Sequence, residues 1–136
     1  MGLDNIWQLP DGVDPPKFGR LNICGGMMSG PNPELGICTS FRGKVYSDFI
    51  QEITGFTLYE DTLDTEDLES LVRSLNKFRD ELRSFIPGYK LLTFIHTKFD
   101  GIDKDYVCTG LDSLEDLILM FSTYANIEGA SLKSWY

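Results

Sequence analysis

One apolar stripe constrains this chain more than anything else in it. Leu68, Leu71, Val72, Leu75, Phe78, Leu82 and Phe85 recur at helical spacing. A helix with so continuous an apolar face cannot stand alone in water, so other elements must cover it. The flanks agree with a helix over 65–85. Asp64 or Thr65 supplies an N-cap, Glu66, Asp67 and Glu69 fall in the first turns, and Arg79 and Arg83 fall in the last. Each sign sits where the helix dipole favours it. Glu69 and Arg73 have the spacing of a supporting ion pair, and Pro87-Gly88 ends the run.

Two more helices follow from the same reasoning. Val45, Phe49, Ile50 and Ile53 place an apolar face on 44–54, with Gly55 as the residue that closes it. Leu114, Leu117, Ile118, Met120, Phe121 and Tyr124 cover more than one face of 113–124, which predicts a well-buried helix. Ser113 with Asp116 has the form of a capping box there.

Between the second and third helices, residues 91–109 read as a β-hairpin. Asp100-Gly101 is a strong two-residue turn signal, and counting outward pairs Phe99 with Ile102, Lys98 with Asp103 and His96 with Asp105. The first twenty residues are short and broken by Pro10-Asp11-Gly12 and Asp14-Pro15-Pro16. Phe18–Cys24 reads as a short strand, and the terminal Trp135-Tyr136 pair is expected to dock on the core. The fold expected is therefore α+β, a single domain over 1–136. It has about three helices, a small antiparallel sheet or hairpin and a long glycine-rich loop.

Composition bounds the function. Apolar residues are 42% of 136, including Phe 9, Tyr 6 and Trp 2, enough for a real core. The net charge is −9 and uneven. Residues 48–72 hold eight acids and no base, while 73–90 hold five bases and two acids. That balance argues against binding nucleic acid or an anionic membrane, and permits a basic protein partner. The acid run also suits an inhibitor, immunity or anti-defence protein that meets such a partner. Cys24, Cys38 and Cys108 are odd in number and form no C-x-x-C pair, which fits a reducing, cytoplasmic setting. No basic leader or long apolar run suggests export or a membrane span.

The stretch most suggestive of a site is Cys24–Lys44. It contains Gly25, Gly26, Gly30, Gly36 and Gly43, with Pro31 and Pro33, and runs into the 44–54 helix. Glycines and prolines serve tight turns first. Hydroxyls and bases before a helix N-terminus also make an anion site. The candidate ligand-binding residues are Ser29, Thr39, Ser40, Arg42, Gly43 and Lys44. The ligand expected is small and phosphate-bearing, held without catalysis. A nucleotide-hydrolysing P-loop is excluded, because six residues separate Gly36 from Gly43-Lys44 and Val45 replaces the metal-binding hydroxyl. No metal or cofactor is implied. Cys24, Cys38, Cys108 and His96 match no common zinc spacing, and Asp100, Asp103 and Asp105 do not follow the order of a calcium loop. An enzyme would have to use His96, oriented by Asp105 across the hairpin, with Cys24 or Cys38 as further candidates.

Several segments together resemble small uncharacterised proteins of bacteria and their phages. They are Met1-Gly2-Leu3-Asp4-Asn5, Cys24-Gly25-Gly26-Met27-Met28-Ser29-Gly30, Ser40-Phe41-Arg42-Gly43-Lys44-Val45-Tyr46, Thr54-Gly55 with Leu58-Tyr59, and the closing Gly129–Trp135. The resemblance implies no activity. It marks 24–46 as a distinctive stretch.

Overall fold

The computed structural model describes residues 3–18, 21–23, 39–85 and 88–135. The elements run β1 (Asp4–Gln8), β2 (Ser40–Phe41), α1 (Gly43–Thr54), β3 (Thr62–Leu63), α2 (Thr65–Arg83), α3 (Gly88–Lys98), α4 (Lys104–Asp112), α5 (Leu114–Ala125) and β4 (Ser131–Trp135). The four strands form one antiparallel sheet in the order β2-β1-β4-β3. The class is α+β, as the sequence predicts, with five helices among the described residues where three were expected.

The sheet is single-faced. Asn5, Trp7, Phe41, Leu63 and Leu132 are buried on one side, while Asp4, Gln8, Thr62, Lys133 and Trp135 face water. Trp7 carries the inner face into the helices: its ring stacks on Tyr124 of α5 at 4.1 Å and meets Phe121 edge-on at 5.4 Å. α2 and α5 lie along one another, and Arg79 and Arg83 of α2 both reach Glu115 of α5. Arg73 donates to Ser70 Oγ instead of pairing with Glu69. The α2 stripe does what its spacing demands, with Leu68, Leu71, Leu75 and Phe78 buried. Asp64 is its N-cap, in a full capping box with Asp67.

Four expectations are corrected. Residues 91–109 form α3 and α4, not a hairpin. Leu91, Phe94, Ile95 and Lys98 are also spaced for a helix, and that period wins because it seats Phe94 on Phe78 and Phe85. Asp100-Gly101 does turn the chain, with Gly101 at φ 85, but it joins two helices. Asp103 then caps α4, accepting from the Asp105 and Tyr106 amides, so its cross-strand partner Lys98 never arises. The broken N-terminal segment contains β1, a central strand, while Phe18 and Leu21–Ile23 lie in no strand. Trp135 does not dock on the core: it is 70% exposed on the sheet's outer face. Ser113 makes no cap bond to α5; its hydroxyl pairs with the buried Tyr46 hydroxyl of α1 at 3.0 Å.

α1 and α4 approach closely at Gly110. A Cβ there would lie 2.5 Å from the ring of Phe49, which itself stacks on Phe99 at 5.2 Å. Gly110→Ala should destabilise the protein by about 1–3 kcal/mol, since overpacking outweighs the gain in helix propensity. Thermal denaturation of the variant checks this; an unchanged or higher midpoint would show that the helices need no glycine here.

Candidate functional site

The candidate loop ends where β2 turns into α1. Ser29 and the rest of 24–38 lie outside the described residues, so the structure speaks for Thr39 to Lys44. β2 is an edge strand, pairing Asn5 with Phe41 and Ile6 with Ser40, and the Trp7 amide donates to Thr39 O at 2.8 Å. Ser40 is buried at 4% exposure. Arg42 has extended backbone and turns the chain into α1, whose N-terminus has no side-chain cap and no acid in its first turn.

The residues here divide by direction. Arg42 and Lys44 are exposed, and neither is in an ion pair among the described residues. They stand at the positive end of a twelve-residue helix. Gly43 faces inward. Its α-carbon lies against the side chain of Asn5: a Cβ would overlap Asn5 Oδ1 and come within 2.9 Å of Asn5 Cγ. Two amides of the first turn are already bonded within the protein, Lys44 N to Leu3 O at 3.2 Å and Val45 N to Arg42 O at 3.3 Å. An anion at this corner therefore meets the Arg42 and Lys44 side chains more than the helix's backbone donors.

Asn5 is the residue that sequence reasoning missed. It is 1% exposed, and its Nδ2 donates to Leu58 O at 2.9 Å. Asn5 Oδ1, Trp7 Nε1 and Thr39 Oγ1 are buried and have no hydrogen-bond partner among the described residues. Strand alternation puts all three on the inner side of the β1–β2 edge, beside the start of α1. A buried asparagine carries no sequence signal of its own; its place in a central strand creates the role.

His96 is exposed on α3 and makes no hydrogen bond or ion pair among the described residues. The carboxylate expected to orient it, Asp105, lies in the first turn of α4 instead of across a strand. His96 does line one groove with Cys108, Asp100 and Lys104. Cys24 and Cys38 fall outside the described residues, and among those described no group of three or more His, Cys, Asp or Glu side chains is placed to hold a metal. No described helix is long and apolar enough to cross a membrane.

Asn5 and Gly43 should be energetically coupled. Gly43→Ala forces a methyl into the Asn5 amide, at about 1–3 kcal/mol. Asn5→Ala leaves Leu58 O without its donor, at about 1–3 kcal/mol. In the double variant the methyl has room, so its cost should fall short of the sum by roughly 1 kcal/mol or more. Denaturant titration of the three variants measures this, and simple additivity would refute the contact.

No family model, curated protein or solved structure matches this chain.

Proposed function

We propose that this chain is a non-catalytic binding protein for a small phosphate-bearing anion, held where β2 turns into α1. The observation that carries the reading is the pair Arg42 and Lys44. They are two exposed cations at an uncapped helix N-terminus, in no ion pair among the described residues, in a chain of net charge −9. Arg42 offers a planar fork suited to phosphate oxygens and Lys44 a point charge beside it. Gly43, seated on Asn5, fixes the backbone from which both project. Thr39 and Ser40 precede the pair at the same sheet edge, and Ser29 belongs to the candidate set by sequence alone.

Thermal shift against nucleotides, cyclic dinucleotides, pyrophosphate and sugar phosphates tests the reading. A ligand present at about 100 times its Kd adds about 2.7 kcal/mol of stability and raises the midpoint measurably. Arg42→Ala and Lys44→Ala alter exposed side chains, so both should fold normally while each weakens binding by roughly tenfold, about 1.4 kcal/mol. Failure of every anion to stabilise the protein, or equal stabilisation of both variants, would defeat the proposal.

A second reading is supported by the acid run. Asp48, Glu52, Glu60, Asp61, Asp64, Glu66 and Glu69 are exposed, and none is in an ion pair among the described residues. Such a surface suits a basic protein partner, as an inhibitor or immunity protein would require. Its association would weaken steeply with added salt.

A further inference from the structure

We propose that the ligand held at Arg42 and Lys44 is a mononucleotide whose base stacks on Trp135 of β4, a proposal that depends on the phosphate-binding reading of that pair. One row of side chains across the outer face of the sheet carries it. β1 pairs Asp4 with Trp135 of β4, and Asn5 with Phe41 of β2. Continued by one residue, the second register sets Arg42 beside Asp4. The bond from Lys44 N to Leu3 O keeps the two chains together at that point. Alternation puts Arg42, Asp4 and Trp135 on one face, opposite the buried Asn5 and Phe41. All three are exposed.

The row runs in the order cation, carboxylate, aromatic ring. Neighbouring strands lie about 4.8 Å apart, so about 10 Å separates the backbone of Arg42 from that of Trp135. A nucleotide with its phosphate on Arg42 reaches that far with its base. Trp135 is 70% exposed and meets no other ring among the described residues, so most of its indole is open to a base. Asp4, between the two, is in no ion pair among the described residues. Its carboxylate repels a phosphate but accepts hydrogen bonds from ribose hydroxyls or a base amino group, which a nucleotide presents there.

Charge sets the direction of the ligand. Lys133 lies on the same face, two residues from Trp135, and is exposed. Like Arg42 and Lys44, it is in no ion pair among the described residues. The exposed Asp61 stands on the far side of β4, where its carbonyl accepts from Ser134 N at 3.4 Å. The phosphate therefore points toward β2 and the base toward β4. A sugar phosphate would satisfy Arg42 and leave Trp135 in water, and a basic peptide would meet Arg42 and Lys133.

Titration of the full chain with AMP, the other common ribonucleoside 5′-monophosphates and ribose 5-phosphate tests it. At least one nucleotide should bind roughly tenfold or more tightly than ribose 5-phosphate, which lacks only the base. Stacking should quench indole emission. Trp135→Ala should remove both the quench and the preference, while Trp135→Phe keeps a ring and most of the preference. Both Trp135 and Arg42 are exposed, so circular dichroism should report an unchanged fold; if Trp135→Ala does not fold, Trp135→Gln replaces it. Arg42→Ala should weaken nucleotide and ribose 5-phosphate alike. Equal affinity for the two, or a preference that survives Trp135→Ala, overturns the mononucleotide and leaves the phosphate reading standing. Binding of none of these ligands, or nucleotide binding that Arg42→Ala leaves intact, defeats both. A single-stranded oligonucleotide should bind no more tightly than the monomer, since a net charge of −9 opposes a polyanion. Tighter binding would give the row to nucleic acid and would also overturn the proposal.

Discussion

The contact on which the rest of this structure depends is made by one buried amide. Asn5 lies in the middle of the sheet, its backbone paired with Phe41 on one side and Ser134 on the other. Its Nδ2 reaches Leu58 O, and its oxygen rests against Gly43 at the start of α1. A buried amide is costly unless its position satisfies it, so the side chain tolerates little drift. The sheet, the first helix and the chain beyond Gly55 are thereby held to one geometry. Leu3–Asn5, the start of α1 at Gly43 and the turn at Leu58 supply the three sides of this junction. Gly43 is thus a close-approach residue before it belongs to any ligand site.

From that junction the core extends along two aromatic chains. One passes from Phe41 and Trp7 to Phe121 and Tyr124, and joins the sheet to α5. The other passes from Phe49 through Phe99 and Phe78 to Phe94 and Phe85, and joins α1 and α2 to α3. α3 joins this chain through Phe94, which stacks on Phe78, and it keeps apolar side chains such as Tyr89 and Leu92 in water. The charge follows a similar division. Acids occupy α1, the β3 turn and the start of α2, while bases occupy the later part of α2 and α3. Arg42 and Lys44 are a small positive island at the sheet edge.

Much of the helical frame was legible because its determinants are local. The α2 stripe, its Asp64 cap and the left-handed Gly55 after α1 each need only a few neighbouring residues to be recognised. Residues 91–109 were misread because they satisfy two periods at once, and Asp-Gly turns serve hairpins and helix pairs alike. The groove between α3 and α4 exists only because both segments are helical. In the candidate loop the charges were legible, but their direction was not. Arg42 and Lys44 project outward only because Gly43 must face Asn5, a contact between residues 38 positions apart.

The sequence by itself determined the α+β class, the acidic balance, three of the helices and the cations at the start of α1. These follow from composition and from periods of a few residues. The tertiary structure decided which strands make the sheet, for β1 and β4 are five-residue segments from opposite ends of the chain with no local turn to announce their pairing. It also decided that Asn5 and Gly43 form a junction and that α3 keeps its apolar surface in water. Each of these depends on which distant side chain fills a given space, and pattern within a segment carries no information about that.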